Sequence, residues 1–253
     1  MARSTLGVTE DMFLGDRLVV RQPSKGYRAG IDAVLLAAIV GEDTDTVLDI
    51  GAGVGTVGLC VAARLPKAHV VLVEREAQLV ELASDNIAAN GLSARVTVVQ
   101  ADISQPLSAE AATRLKPDSF AHVLANPPFH DEGRGTASGV AIKAASHAMP
   151  EDALDDWARF MARMTKPSGR ATMIHKAEAL PRILNAFENR FGGIIVLPIH
   201  ARDGEPAIRV IVQGIKASRA PLVLKPGVIL HGQGQAFRPE IDNILRRSAA
   251  LEF

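Results

Sequence analysis

The sequence predicts an α/β fold: a doubly wound, mostly parallel sheet of seven strands with helices on both faces and short additions at the N- and C-terminal ends. Three observations predict it. Short continuous apolar runs alternate with helical-period segments along most of the chain, as buried parallel strands and their crossover helices require. The first of these runs, Val47-Leu48-Asp49-Ile50, stops at a glycine-rich turn, Gly51-Ala52-Gly53-Val54-Gly55, and helical spacing resumes at Val57, Leu59 and Val61. Three acids, Asp49, Glu74 and Asp102, stand at the carboxyl ends of three successive runs, where an open parallel sheet leaves a ligand crevice.

The elements follow in order. Residues 1–40 read as an N-terminal segment packing on the main domain: Met12-Phe13-Leu14 pairs with Arg17 to Pro23 as a small edge hairpin, and Asp32 caps a short apolar helix directed at Gly41. Residues 41–216 carry the main domain. After the glycine turn and its helix come a strand, Val70 to Val73, and a helix from Ala77 to Asn90 closed by Gly91, then the strand Val96 to Gln100 and a helix from Ser108 to Lys116. Phe120 to Ala125 is a fourth strand, Asp152 to Thr165 a helix, Gly169 to Ile174 a fifth strand and Leu180 to Arg190 a helix. Ile194 to Leu197 and Ile208 to Val212 close the pattern as an edge hairpin. In the C-terminal extension, residues 217–253, Leu222 to Leu230 is flanked and broken by Pro221 and Pro226 and reads as an edge strand or loop; Pro239 to Arg247 reads as a helix.

Composition narrows the function classes. With 253 residues, 47% of them hydrophobic and 22% charged, the chain buries a sizeable core. Its 28 basic and 28 acidic residues cancel, which excludes a dominant non-specific grip on nucleic acid and leaves only a local basic face for that purpose. The single Cys60 excludes an internal disulfide framework. No apolar run reaches membrane-spanning length, the first six residues lack a signal-peptide pattern, and the cytoplasm is the expected location.

The glycine turn suits a nucleotide, because glycines let the backbone approach a ligand and the following helix offers unpaired N–H groups. A dinucleotide fingerprint wants glycine where Thr56 stands, whereas Asp49, two residues before the first glycine, can accept from an ammonium group. Leu48-Asp49-Ile50-Gly51-Ala52-Gly53-Val54-Gly55 thus resembles the first motif of the Rossmann-like class I methyltransferases that bind S-adenosylmethionine (SAM). Glu74, about twenty residues on, suits the ribose hydroxyls, and Asp102 suits the adenine amino group.

Asn126-Pro127-Pro128-Phe129, at the end of the fourth strand, chooses the chemistry. An exocyclic amine conjugated to a ring has a delocalised lone pair; the Asn126 side-chain carbonyl and the Pro127 carbonyl can accept its two hydrogens and aim the nitrogen. Phe129 offers a face for the base, and no general base is needed before attack. The motif pair resembles the amino-group methyltransferases acting on adenine, guanine or protein glutamine. With Gly26-Tyr27-Arg28-Ala29-Gly30-Ile31-Asp32, Gly133-Arg134-Gly135-Thr136 and Gly204-Glu205-Pro206-Ala207, the chain from about residue 10 to 250 resembles the bacterial tRNA(Val) adenine-N6 methyltransferases. That likeness implies methylation of the adenine beside the anticodon, a structured RNA partner, and closure of the Tyr27, Gly30 and Asp32 segment over the methionine end of SAM. Asn-Pro-Pro-Phe followed by His130 is also the form in ribosomal RNA guanine-N2 methyltransferases, so guanine-N2 and protein glutamine are the alternatives.

The remaining candidates read as structural. His130, His147, His175, His200 and His231 lack metal-ligand spacing and read as surface or loop histidines; no metal is expected. Arg134, Lys143, Arg202, Arg209, Arg219 and Arg238 could grip phosphates around the pocket, with solvated charge as the bland alternative.

Overall fold

In the computed structural model, residues 7–26, 28–129 and 153–253 are described. The elements are β1 (Val8–Phe13), β2 (Leu18–Pro23), α1 (Ile31–Ala38), β3 (Thr46–Ile50), α2 (Thr56–Arg64), β4 (His69–Glu74), α3 (Ala77–Ala89), β5 (Val96–Gln100), α4 (Ala109–Arg114), β6 (Phe120–Ala125), α5 (Ala153–Met164), β7 (Thr165–Lys176), α6 (Leu180–Phe187), β8 (Phe191–His200), β9 (Ala207–Lys216), β10 (Val223–Leu224), β11 (Val228–Ile229) and α7 (Pro239–Arg247).

Seven long strands lie in the order β8-β9-β7-β6-β3-β4-β5, and the short β10 and β11 add to the outer edge of β8. All pairs from β5 to β7 are parallel, and β9 alone runs antiparallel, between β7 and β8. The predicted doubly wound sheet and its edge hairpin are therefore present. The hairpin of β1 and β2 is a separate two-stranded sheet and not an edge of the main one. Chain order reverses between β3 and β6: β3, β4 and β5 advance one way, β6 and β7 the other. Such a switch point opens a crevice at the carboxyl ends of the strands.

Each face of the sheet carries its own core. Leu35, Leu36, Leu59, Val61, Leu72 and Ala83 bring α1, α2 and α3 onto one face; Leu115, Phe120, Met161, Met164, Ile183 and Phe187 bring α4, α5 and α6 onto the other. Central strands buried on both sides read as the continuous apolar runs seen in the sequence. The C-terminal extension joins the first face: Leu251 N–H donates to the Ala38 carbonyl at 2.9 Å, and Ile241 and Ile244 of α7 are buried there.

One prediction from the sequence is overturned at α1. Gly30, not Asp32, is the N-cap, and Asp32 makes no capping bond; its carboxylate accepts from Arg209 Nε at 2.9 Å. Asp32 is the second residue of the helix, past the position from which a side chain caps, and its carboxylate is left to a charged partner.

Asn86 of α3 fastens the N-terminal hairpin. Its Oδ1 accepts from Arg21 N–H at 2.8 Å, and its Nδ2 donates to the carbonyls of Arg21 and Val54, each at 3.0 Å. Asn90, one turn on, treats Val19 the same way at 3.0 and 2.8 Å. One fully buried side chain thereby satisfies both backbone groups of Arg21 and a carbonyl of the glycine turn. Asn86→Leu is expected to lower unfolding stability by about 3 kcal/mol, because it leaves three backbone groups without partners; urea midpoints measure it.

Candidate active site

Sheet register builds the site. Ile50 pairs with Val73 on one side and Ala125 on the other, and Glu74 pairs with Gln100. One step further along, Asn126, Gly51, Glu74 and Gln100 emerge side by side, on strands spaced about 4.8 Å apart. The acid of β4 and the asparagine of β6 thus flank the glycine turn of β3 across the switch point.

The turn is held from below by its own acids. Glu74 Oε2 accepts from Gly53 N–H at 2.8 Å, while Oε1 accepts from Arg75 and Glu76 N–H at 2.8 and 3.0 Å. Glu74 is 7% exposed, at the rim. Asp49 lies inside, 1% exposed, and its Oδ2 accepts from Gly58 N–H at 3.0 Å, tying β3 to the first turn of α2. Burial pushes its carboxyl up to about 7; the Gly58 bond opposes this, and the Glu74 charge adds to it.

The three motif glycines do different work. Gly51 has φ +62 and its α-carbon lies against the Trp157 indole of α5, where a Cβ would sit 2.3 Å from the ring. Gly53, φ +57, faces open space. At Gly55 a Cβ would meet Leu72 beneath the turn, so that glycine serves packing.

Asp102, just past β5, accepts from Ser104 N–H at 2.9 Å and Ser104 Oγ at 2.7 Å. Partial burial acts to raise its carboxyl, but the two Ser104 bonds and nearby Arg75 prevail and hold it below the usual range. It stays an ionised acceptor at neutral pH.

On the other side of the crevice, Asn126 and Phe129 are half-buried and Pro127 is buried. The Phe129 ring meets the His175 ring edge to face, centroids 4.9 Å apart at 74°, and the Arg209 guanidinium carbon lies 4.8 Å from the Phe129 centroid. One face of Phe129 is therefore occupied by a cation that is itself paired with Asp32.

Some predicted residues fall elsewhere. Tyr27, His130, Gly133 to Thr136, Arg134, Lys143 and His147 lie outside the described residues. Gly30 is exposed at the start of α1, with nothing near its Cβ position. Arg202 Nη1 is committed to the Gly234 carbonyl at 2.7 Å. His175 is no surface histidine: it is 3% exposed within β7. Burial keeps it neutral, down to about 4, against a raising hydrogen bond with the Pro128 backbone. Thr56 was missed as a candidate; its Oγ1, in the first turn of α2, is buried with no hydrogen-bond partner. Among the described residues no His, Cys, Asp and Glu cluster could hold a metal, and no helix is long and apolar enough to cross a membrane.

Residues 29–153 match the methyltransferase small domain. A crystal structure of a predicted O-methyltransferase from Agrobacterium tumefaciens is 33% identical, over 87% of this chain and 98% of that one, with a TM-score of 0.73. The chain belongs to the methyltransferases. Among curated relatives of this methyltransferase, a tRNA1(Val) (adenine(37)-N6)-methyltransferase of Porphyromonas gingivalis is 34% identical over 124 residues, 47% of this chain and 48% of that protein. A release factor glutamine methyltransferase of Chlorobaculum tepidum is 25% identical over 201 residues, 78% of this chain and 60% of that one. The match to the first of these spans about half its length.

The family implies SAM, and the residues present suit it. The open space at Gly53, the orphaned Thr56 hydroxyl and the acids Glu74 and Asp102 are groups that a ligand rich in hydroxyl and amino donors can use.

The buried groups also set a pH dependence. His122 of β6, bonded to Thr172 Oγ1 at 2.7 Å, is pushed by burial down to about 3. In the unfolded chain both His122 and His175 protonate near 6.5, so below that pH the unfolded state holds more protons and stability falls. Asp49, protonated in the fold below about 7 but ionised in the unfolded chain above 3.8, acts oppositely. Two imidazoles against one carboxyl leave stability nearly level above about pH 7 and let it fall by about 1.4 kcal/mol per pH unit between about pH 6 and 4. Asp49→Asn is expected to about double the slope of the acid limb, as read from urea midpoints across the pH range.

Proposed function

We propose that the protein transfers the methyl group of SAM to the exocyclic amine of a base in structured RNA, adenine N6 of a tRNA. The observation that carries this is the register of the switch point, which sets Asn126 and Glu74 on either side of the glycine turn. When bound, SAM supplies a methyl carbon on a positively charged sulfur that departs as a neutral thioether.

In this reading Glu74 accepts the ribose hydroxyls and Asp102 the adenine amino group. Thr56 and the first turn of α2 lie by the carboxylate. Asp49 holds the turn from beneath, and the ammonium group of SAM favours the ionised form of its raised carboxyl. Gly30 belongs to the segment leading into α1, over the methionine end. The Asn126 side-chain carbonyl and the Pro127 carbonyl accept the two amine hydrogens, so the nitrogen lone pair points along the attack line. The nitrogen–carbon bond forms as the sulfur–carbon bond breaks, and the product loses its proton afterwards to water. Phe129 packs the base.

The match to a glutamine methyltransferase over 78% of the chain supports a second reading, in which the same carbonyls hold a carboxamide. Incubation with labelled SAM, unfractionated bacterial tRNA and total protein separates the two. Label that is released by ribonuclease and recovered as N6-methyladenosine is the expected result. Recovery as N2-methylguanosine changes the base, and ribonuclease-resistant label in protein overturns the RNA assignment.

A further inference from the structure

The segment Asn126 to Phe129 leaves the sheet with little backbone to hold it. Pro127 and Pro128 have no N–H, so the ladder between β6 and β7 cannot continue past Ala125 and its partner Met173. Side chains from three other elements take over. His175 lies two residues beyond Met173 on β7; its ring bonds the Pro128 backbone, whose polar group is the carbonyl, and supports Phe129 edge to face. Arg209 of β9 covers a face of the same ring, and Asp32 of α1 fixes that guanidinium through Nε at 2.9 Å. His175 and Val210 are directly paired across β7 and β9, which places both supports at one level of the sheet.

We infer that His175 and the Asp32–Arg209 ion pair are positioning residues for the methyl acceptor, a clamp that sets the direction of the Asn126 and Pro127 carbonyls without touching the donor. The inference rests on the proposed amine-methylating role of that corner. It moves Asp32 from the donor to the acceptor side, and it commits the Arg209 charge to Asp32 and Phe129 instead of to a phosphate. Planarity matters at Arg209: a lysine keeps the charge but neither stacks on the ring nor donates from Nε. At His175 a group donating from the Nε2 position is what the Pro128 carbonyl needs, and glutamine can supply it where leucine cannot.

The test uses the full chain, unfractionated bacterial tRNA as methyl acceptor, and calorimetry with S-adenosylhomocysteine. Arg209→Lys, Asp32→Asn and His175→Leu are each expected to lower kcat by about 10- to 100-fold, the cost of sub-ångström misalignment, with the S-adenosylhomocysteine Kd within about twofold. His175→Gln is expected to restore kcat to within about threefold of the parent. Should His175→Leu fail to fold, the half-buried Arg209 and Asp32 carry the comparison through their own variants. A parallel loss of donor affinity, or unchanged kcat in all of them while Asn126→Ala is inactive, overturns the clamp alone. A fully active Asn126→Ala overturns the acceptor assignment beneath it.

Discussion

Asn126→Ala is expected to lower kcat by on the order of a thousandfold while the S-adenosylhomocysteine Kd stays within a few fold. The asparagine stands at the end of β6, one strand over from the glycine turn, and is not among the residues assigned to the donor, Glu74, Gly53 and Asp102. Truncation removes one of the two carbonyls that orient the amine, and the Pro127 carbonyl alone cannot fix a nitrogen with two hydrogens. The amine then returns to its planar, conjugated form, and its lone pair leaves the attack line. Asn126→Asp is a sharper version: it keeps an acceptor of similar shape but adds a charge the neutral product complex does not need. Single-turnover rates with tRNA, beside calorimetry of donor binding, separate the two effects; equal loss in both would remove the assigned role.

Glu74→Gln should show the opposite pattern, a donor Kd weakened by about a hundredfold with kcat at saturating SAM nearly kept. Both Glu74 oxygens already receive backbone N–H groups, Gly53 on one side and Arg75 with Glu76 on the other. An amide has one oxygen. Its NH2 must therefore face at least one N–H, and either the glycine turn or the start of α3 loses its anchor. The ribose hydroxyls lose a charged acceptor at the same moment, and hydrogen bonds to charged groups are worth about 1.5–3 kcal/mol each. Retention of donor affinity in this variant would place the ribose elsewhere.

Much of this was legible in the chain because local signals agreed with the tertiary outcome. Phe120 to Ala125 and Pro239 to Arg247 lie at the bounds read from the sequence. In each, an apolar period meets a clear stop: the proline pair after Asn126 in one, the proline start in the other. The antiparallel strands β8 and β9 run longer than their apolar centres, through Gly192, Gln213 and Gly214, because partner strands and not propensity order those polar and glycine ends. The helix expected to reach Arg190 ends at Phe187, where Glu188 turns extended and Asn189 takes a left-handed φ of +64. The acids at strand ends could be found from spacing. The Asp32–Arg209 pair, the His175 support and the Asn86 staple could not, since each joins residues that only the folded sheet brings together.

Cys60, buried on α2 just behind the glycine turn, is the one cysteine of the chain, and burial pushes its thiol up to about 12. Such a sulfur is unreactive until the core opens, so the rate at which a disulfide reagent colours the solution counts opening events of the donor-binding half. A ligand that binds only the closed form should slow that rate in proportion to one plus its concentration over its Kd. The protein thereby carries its own affinity gauge, usable with unlabelled donor analogues and before any substrate RNA is in hand.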